Sequence, residues 1–193
     1  MHGLINRSIQ RFLHDTYGGD TWAQVAEDAG LCVQGFEALL SYDDALTEAV
    51  LAAASIRLAK PRDAVLEDLG IYLAHLEPLR RLLRFGGVDY PDFLQSLDEL
   101  SHRARLAVPG LEMPEFTILP LGGGRFRLEC RSEMAGFGAV ATGILRAMAD
   151  DYGALALIDA VASDGRCDTV SIELLEARFV AGRGFDLAAR RGL

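Results

Sequence analysis

Few side chains in this chain of 193 residues could bind a metal or carry out chemistry, because it holds only four histidines and three cysteines. One of the histidines, His102, directly follows Ser101 near the end of a segment with helical spacing of apolar residues. A neutral imidazole is a good ligand for iron and for other transition metals. His102 is therefore a candidate metal ligand, and a surface or partly buried histidine is the alternative interpretation.

The three cysteines are Cys32, Cys130 and Cys167, an odd number without any Cys-x-x-Cys spacing. This pattern indicates neither a zinc site nor a disulfide framework, and unpaired thiols are typical of a reducing compartment. We therefore expect a cytoplasmic protein. Cys130 could offer a thiolate to a metal, or it could be a small core residue, which is the commoner role of a free cysteine.

Other chemistry-bearing patterns are weak. The run Gly122-Gly123-Gly124 lacks the Gly-Lys-Ser/Thr that a phosphate-binding loop needs, and no Gly-x-Ser-x-Gly occurs. A formal charge of −9 repels phosphate backbones, so we expect no nucleic-acid partner. No run of eighteen apolar residues exists, so we expect no membrane span. The sequence therefore favours a non-enzymatic protein.

Helices that could position these groups fill the first half of the chain. Asp20 is predicted to cap a second helix, the run 41–44 to begin a third and Pro61 a fourth. Pro91 begins a later helix, and the chain then runs on to Pro109, Pro114 and Phe116. The apolar face predicted for that later helix consists of Phe93, Leu94, Leu97, Leu100 and Ala104.

The period of the apolar pattern changes after Pro109. Residues 116–121 and 125–130 flank the three glycines and predict a β-hairpin, with Phe126, Leu128 and Cys130 on one face. A helix over 135–151 and strands near 154–161 and 169–175 follow, with a loose tail or short strand after Glu176. Helices first and an antiparallel sheet later define an α+β fold.

Short motifs stand in a recognisable order from residue 1 to about 175, namely Met1–Ile5, Phe12, Tyr17-Gly18, Trp22, Leu66–Gly70, Phe93-Leu94, Leu97–His102 and Cys130–Met134. Together and in this order they resemble the haem nitric-oxide/oxygen binding family (H-NOX, HNOB).

The resemblance implies one domain over residues 1–193, with a helical N-terminal subdomain at 1–60. It also implies a C-terminal α/β subdomain at 61–193, which contains the signature helix, a long helix and the antiparallel sheet. In the family, haem lies between the two subdomains, a histidine binds the iron from one side, and a diatomic gas binds on the other. A Tyr-x-Ser-x-Arg signature holds the haem propionates.

Carried over without gaps, the family's histidine falls on Ser101, and the signature becomes Cys130-x-Ser132-x-Met134. Only the serine of the signature is kept, and a serine hydroxyl is a poor ligand for haem iron. A one-residue shift or a local π-bulge could turn His102 toward the haem instead. The positions that match the gas side are all apolar: Ile5, Ile9, Leu73, Ala74, Ala139 and Val140. Without a tyrosine there, the resemblance implies nitric oxide or carbon monoxide rather than oxygen.

Two functions from different classes remain open. The first is a haem-based gas sensor that signals to a separate protein, by resemblance a histidine kinase or a cyclic-di-nucleotide enzyme. The second is a haem-free member of the fold that takes part in protein interaction or binds another apolar ligand.

Overall fold

The computed structural model describes residues 1–32, 35–108 and 110–184, so Pro109 and the last nine residues of the predicted tail lie outside the described chain. Within these ranges the helices are α1 (Gly3–Tyr17), α2 (Gly19–Asp28), α3 (Asp44–Leu58), α4 (Arg62–His75), α5 (Glu77–Arg84), α6 (Tyr90–Gln95), α7 (Leu100–Ala107) and α8 (Phe137–Tyr152). The strands are β1 (Glu115–Gly122), β2 (Arg125–Arg131), β3 (Leu155–Ser163) and β4 (Cys167–Glu176). The predicted α+β class is confirmed.

Local sequence signals account for most helix starts. The Asp43 carboxylate accepts a hydrogen bond from the backbone amide of Ala45 at 2.9 Å and so caps α3, as the sequence predicted. The prediction that Asp20 caps α2 is wrong, because α2 begins at Gly19, two residues before the predicted start at Thr21, and Asp20 therefore lies inside its first turn. The glycine pair allows the earlier start, since Gly18 adopts a φ of +94° that a residue with a side chain rarely adopts.

The later helix predicted from Pro91 is interrupted. A 3₁₀ turn at Ser96–Glu99 separates α6 from α7. Its predicted apolar face is nevertheless buried throughout, from Phe93 at 0% exposure to Ala104 at 7%. The tighter 3₁₀ turn changes the rotation per residue and keeps Leu97 and Leu100 on the buried side.

The four strands form one antiparallel sheet in the order β1-β2-β4-β3. Leu128 and Cys130 of β2 face inward, as the alternating pattern predicted, and Val170 and Ile172 of β4 lie beside them. Helix α8 covers this inner face of the sheet. One hydrophobic cluster therefore joins α8, the sheet and the segment from α5 to α7.

A second hydrophobic cluster fills the N-terminal helices α1–α4. Helix α4 contributes Leu66 and Leu69 to this cluster and Ala74 to the other, so it lies between the two. The subdomain boundary between residues 60 and 61 stays a prediction.

Helices α4 and α8 hold the two clusters together by crossing at two glycines. A Cβ atom on Gly143 of α8 would lie 2.9 Å from the Ile71 amide nitrogen and 3.0 Å from the Glu67 carbonyl carbon. Gly70 of α4 meets the backbone of Val140 in the same way. The absence of side chains at both positions lets the two helix backbones touch.

Candidate functional site

A cavity of about 250 Å³ lies where the two clusters meet. Helices α1, α4, α5, α7 and α8, the hairpin β1–β2 and the segments that flank these elements all contribute to its walls. The lining residues among the described parts of the chain are Leu4, Ile5, Ser8, Ile9, Leu66, Leu69, Leu73, Leu79, Leu82, Leu83, Leu97, Leu100, Ala104, Val108, Leu111, Met113, Phe116, Leu128, Met134, Gly136, Phe137, Val140, Ala141, Ile144 and Leu145.

Helical periodicity explains why so many aliphatic side chains converge. Residues three and four apart lie on one face of a helix, so Leu66, Leu69 and Leu73 of α4 point to the same side. Val140 and Ile144 of α8 are spaced in the same way and form the adjoining wall. These two walls of the site are thus apolar helix faces that repeat at helical spacing.

Helix α5 closes another side of the cavity with Leu79, Leu82 and Leu83. A buried ion pair beside these leucines fixes the helix, because Nε of Arg80 donates to Asp151 Oδ1 at 2.8 Å. The carboxylate of Asp151 raises the pKa of the Arg80 guanidinium, because it favours the charged form. This wall is therefore anchored to the C-terminal end of α8.

The structure buries Ser101 and exposes His102. The Ser101 hydroxyl donates to the Pro114 carbonyl and so ties α7 to the start of the hairpin. His102 is absent from the described lining, and its role as an iron ligand through a shift or a π-bulge stays a prediction. The reason for its absence is geometric: α7 is a regular α-helix whose buried side is taken by Leu100, Ser101 and Ala104.

The three signature positions differ in their placement. Cys130 is buried in the sheet at 1% exposure but does not line the cavity, and burial raises the pKa of its thiol to about 12. A thiolate at this position is therefore unfavourable. Ser132 is half-buried, and its hydroxyl accepts the Met134 backbone amide at 3.2 Å, which shapes the turn before α8. Only the Met134 side chain reaches the cavity.

Four of the six gas-side positions line the cavity, namely Ile5, Ile9, Leu73 and Val140. Ala74 and Ala139 lie outside the described lining, and Ala74 is buried in the cluster around the sheet. The structure thus brings these four residues together with Met134.

The lining does not fit an axially ligated haem. Proteins hold haem iron through histidine, cysteine, tyrosine or methionine paired with histidine, and of these types the described lining residues include only Met113 and Met134. The single hydroxyl among these described residues, on Ser8, already donates to the Leu4 carbonyl at 2.9 Å. Nor do the lining residues that the structure describes include an arginine or lysine that could pair with a propionate.

Sequence reasoning missed the wall made by α5 and by the segment 108–116. Leu111, Met113 and Phe116 in that segment follow no helical period, so only the tertiary fold brings them together. It also missed Asp168 of β4, whose carboxylate accepts the backbone amides of Gly136 and Gly138 and holds the start of α8. Such a capping partner thirty residues away leaves no local signal.

Among the described residues, no three His, Cys, Asp or Glu side chains are grouped as a metal site would require. No helix in the described ranges is both long and apolar enough to cross a membrane.

Comparisons with known proteins give one consistent result. The model of the family described as "HNOB: Haem-NO-binding" matches residues 2–158. The soluble guanylate cyclase gcy-31 of Caenorhabditis elegans is 27% identical over 141 residues, which cover 71% of this chain and 20% of that protein. The soluble guanylate cyclase 89Db of Drosophila melanogaster is 25% identical over 121 residues, which cover 61% and 18%. The chain therefore spans about a fifth of the length of these relatives.

Solved structures share the fold at lower identity. A Cs H-NOX mutant superposes with a TM-score of 0.77 and 18% identity, covering 93% of this chain and all of that one. The H-NOX protein from S. oneidensis in the Fe(II)NO ligation state gives a TM-score of 0.76 and 16% identity, covering 91% of this chain and all of that one. These likenesses confirm the architecture.

Proposed function

Because this chain belongs to the Haem-NO-binding (HNOB, H-NOX) family, as its sequence predicted, we propose that it is a regulatory sensor domain that works without axially ligated haem. Its cavity is the ligand site, and the protein acts on a separate signalling partner or on another part of a longer protein. It is not itself a catalyst. A cytoplasmic location remains part of the proposal.

One observation carries this proposal: the cavity is present, but every side chain expected to hold haem is missing from it except Met134. The position aligned with the iron-binding histidine is Ser101, whose hydroxyl is engaged by the Pro114 carbonyl. The neighbouring imidazole of His102 lies on the outer side of α7. A domain that kept haem through His102 would need a one-residue shift or a local π-bulge in this helix.

The second candidate is the haem-based sensor of nitric oxide or carbon monoxide, which the family description favours. In that case His102 would coordinate the iron, and the apolar surroundings of Ile5 and Leu73 would receive the gas. The partner, by resemblance, would be a histidine kinase or a cyclic-di-nucleotide enzyme.

Haem titration separates the two candidates. Purified haem-free protein would be titrated with ferrous haem under nitrogen, then exposed to carbon monoxide and nitric oxide, with the S. oneidensis H-NOX protein as a positive control. We expect no saturable Soret band at one haem per protein, because no described lining residue supplies an imidazole or a thiolate.

The variant His102→Ala tests the alternative directly, and His75→Ala is its matched control because His75 is also an exposed helical histidine. A stoichiometric Soret band that is lost in His102→Ala and kept in His75→Ala would establish the haem sensor. A stoichiometric band that survives in both variants would also overturn the proposal, since another residue would then hold the iron.

A further inference from the structure

The lining of the cavity carries no charge. Each of its described residues has an aliphatic, aromatic, thioether or glycine character apart from Ser8, and that hydroxyl is satisfied within α1. A charged ligand group placed here would lose its hydration without gaining an ion pair, which is strongly unfavourable. The chemistry of the wall therefore selects against ionised ligands.

A guanidinium does lie beside the lining, on Arg62 of α4. It packs against Gly136 and donates to the Ala135 carbonyl at 3.1 Å. Its charge is already compensated, because Nη2 and Nε contact the two carboxylate oxygens of Glu48 at 2.7 and 3.2 Å. An anionic ligand would have to displace Glu48 before it could use this cation.

The size of the cavity sets the scale of its occupant. An apolar cavity of about 150 Å³ in another protein stays dry and accommodates benzene. The present cavity, at about 250 Å³, is larger and is enclosed by several helices and a hairpin. Water gains few hydrogen bonds from such walls, so an apolar molecule competes with it favourably.

We infer that the cavity binds a neutral, hydrocarbon-like small molecule, larger than benzene and without an ionised head group. This inference deepens the proposed function and rests on it only in that both use the same cavity. An aliphatic chain and a fused ring are both neutral and apolar, and competition between a dye and an alcohol distinguishes the two.

Binding can be measured with N-phenyl-1-naphthylamine, a neutral aromatic dye whose fluorescence rises in apolar surroundings. We expect saturable binding of one dye per haem-free protein. Two competitors with the same chain length, 1-decanol and decanoate, are then compared at about pH 8, where the carboxylate is ionised. The expected result is displacement by the alcohol at a concentration about tenfold or more below that needed for the carboxylate.

Cavity-filling variants locate the site. Ile144→Phe adds a ring at the α8 wall, and Ile56→Phe is the matched control because Ile56 lies on α3 at 80% exposure. Ala104→Leu fills the cavity from the wall made by α7, so a single misfolded variant does not end the test. Circular dichroism verifies folding. Dye affinity should fall about tenfold or more in the filled variants and stay unchanged in Ile56→Phe.

The dye-binding, competition and haem experiments test different parts of the inference and of the proposed function. Absence of saturable dye binding, or equal loss of affinity in Ile56→Phe and Ile144→Phe, would overturn the inference while leaving the haem titration unaffected. Equal competition by decanoate would overturn the neutral class. Displacement of the dye by 1-decanol supports an aliphatic chain, whereas dye binding that resists the alcohol supports a ring. A stoichiometric Soret band would overturn the proposed function alone.

Discussion

The contact between α4 and α8 makes a strong prediction about Gly143→Ala. The added Cβ would lie closest to the Glu67 carbonyl oxygen, far inside contact distance, and 2.9 Å from the Ile71 amide nitrogen, whereas ordinary contacts begin at 3.4 Å. Both neighbours are backbone atoms of α4, which cannot rotate aside as a side chain would. The methyl group therefore fits only if the two helix backbones move apart by more than a few tenths of an ångström.

Two opposing effects set the magnitude. Alanine is a better helix former than glycine by about 1 kcal/mol, which favours the variant. Overpacking typically costs about 1–3 kcal/mol, and a contact against rigid backbone belongs at the upper end of that range. We expect a net loss of about 2 kcal/mol, equivalent to a fall in Tm of about 4–8 °C for a domain of this size.

Urea unfolding followed by circular dichroism measures this loss, with Gly19→Ala as the control. Gly19 begins α2, and its added Cβ would lie 3.4 Å from His14 Nε2, an ordinary contact with an exposed side chain. That control should keep or gain stability. If Gly143→Ala proved as stable as Gly19→Ala, the reasoning about the helix crossing would be refuted.

Three further predictions concern single groups. The Tyr90 hydroxyl donates to the Leu145 carbonyl at 3.1 Å in the core, so Tyr90→Phe should lose about 0.5–1.5 kcal/mol in urea unfolding. The Tyr72 hydroxyl lowers the pKa of the Asp15 carboxyl, so Tyr72→Phe should raise that pKa toward its ordinary value in an NMR titration. A lowered carboxyl pKa stabilises the fold above the unfolded pKa, and this benefit is lost as the pH falls through the lower folded value. The stability difference between the two proteins should therefore shrink as the pH falls below the ordinary aspartate pKa of about 3.9. Exposed Cys32 should react with iodoacetamide at about pH 8 far faster than Cys130, because burial raises the pKa of the Cys130 thiol to about 12. Equal labelling of the two cysteines by mass spectrometry would contradict this.

Periodic patterns allowed much of the fold to be predicted. The buried face of the segment from Phe93 to Ala104 and the inward face of β2 both follow from the spacing of apolar residues alone. Such patterns are local, so they survive even where the backbone departs from a regular helix. The 3₁₀ turn at Ser96–Glu99 left the buried set unchanged and was not itself predictable.

The candidate site was harder to predict, because its walls come from segments far apart in sequence. Met134 and Ile5 could be proposed through resemblance to aligned positions. Met113 could not, since it lies in a loop and reaches the cavity only because the hairpin packs against α7. The orientation of His102 depended on the exact rotation of a helix end, which a sequence pattern leaves undetermined.

Fold and ligand chemistry are specified by different residues in this domain, which explains how one could persist while the other changed. The crossing of α4 and α8 depends on Gly70 and Gly143, neither of which lines the cavity. The changes at Ser101 and Met134 both remove a group that would hold haem. The Ser101 hydroxyl donates to the Pro114 carbonyl, and the Met134 thioether forms part of the apolar wall of the cavity. Neither change leaves a buried polar group without a partner, so the cavity remains stable without the iron ligand that the family implies.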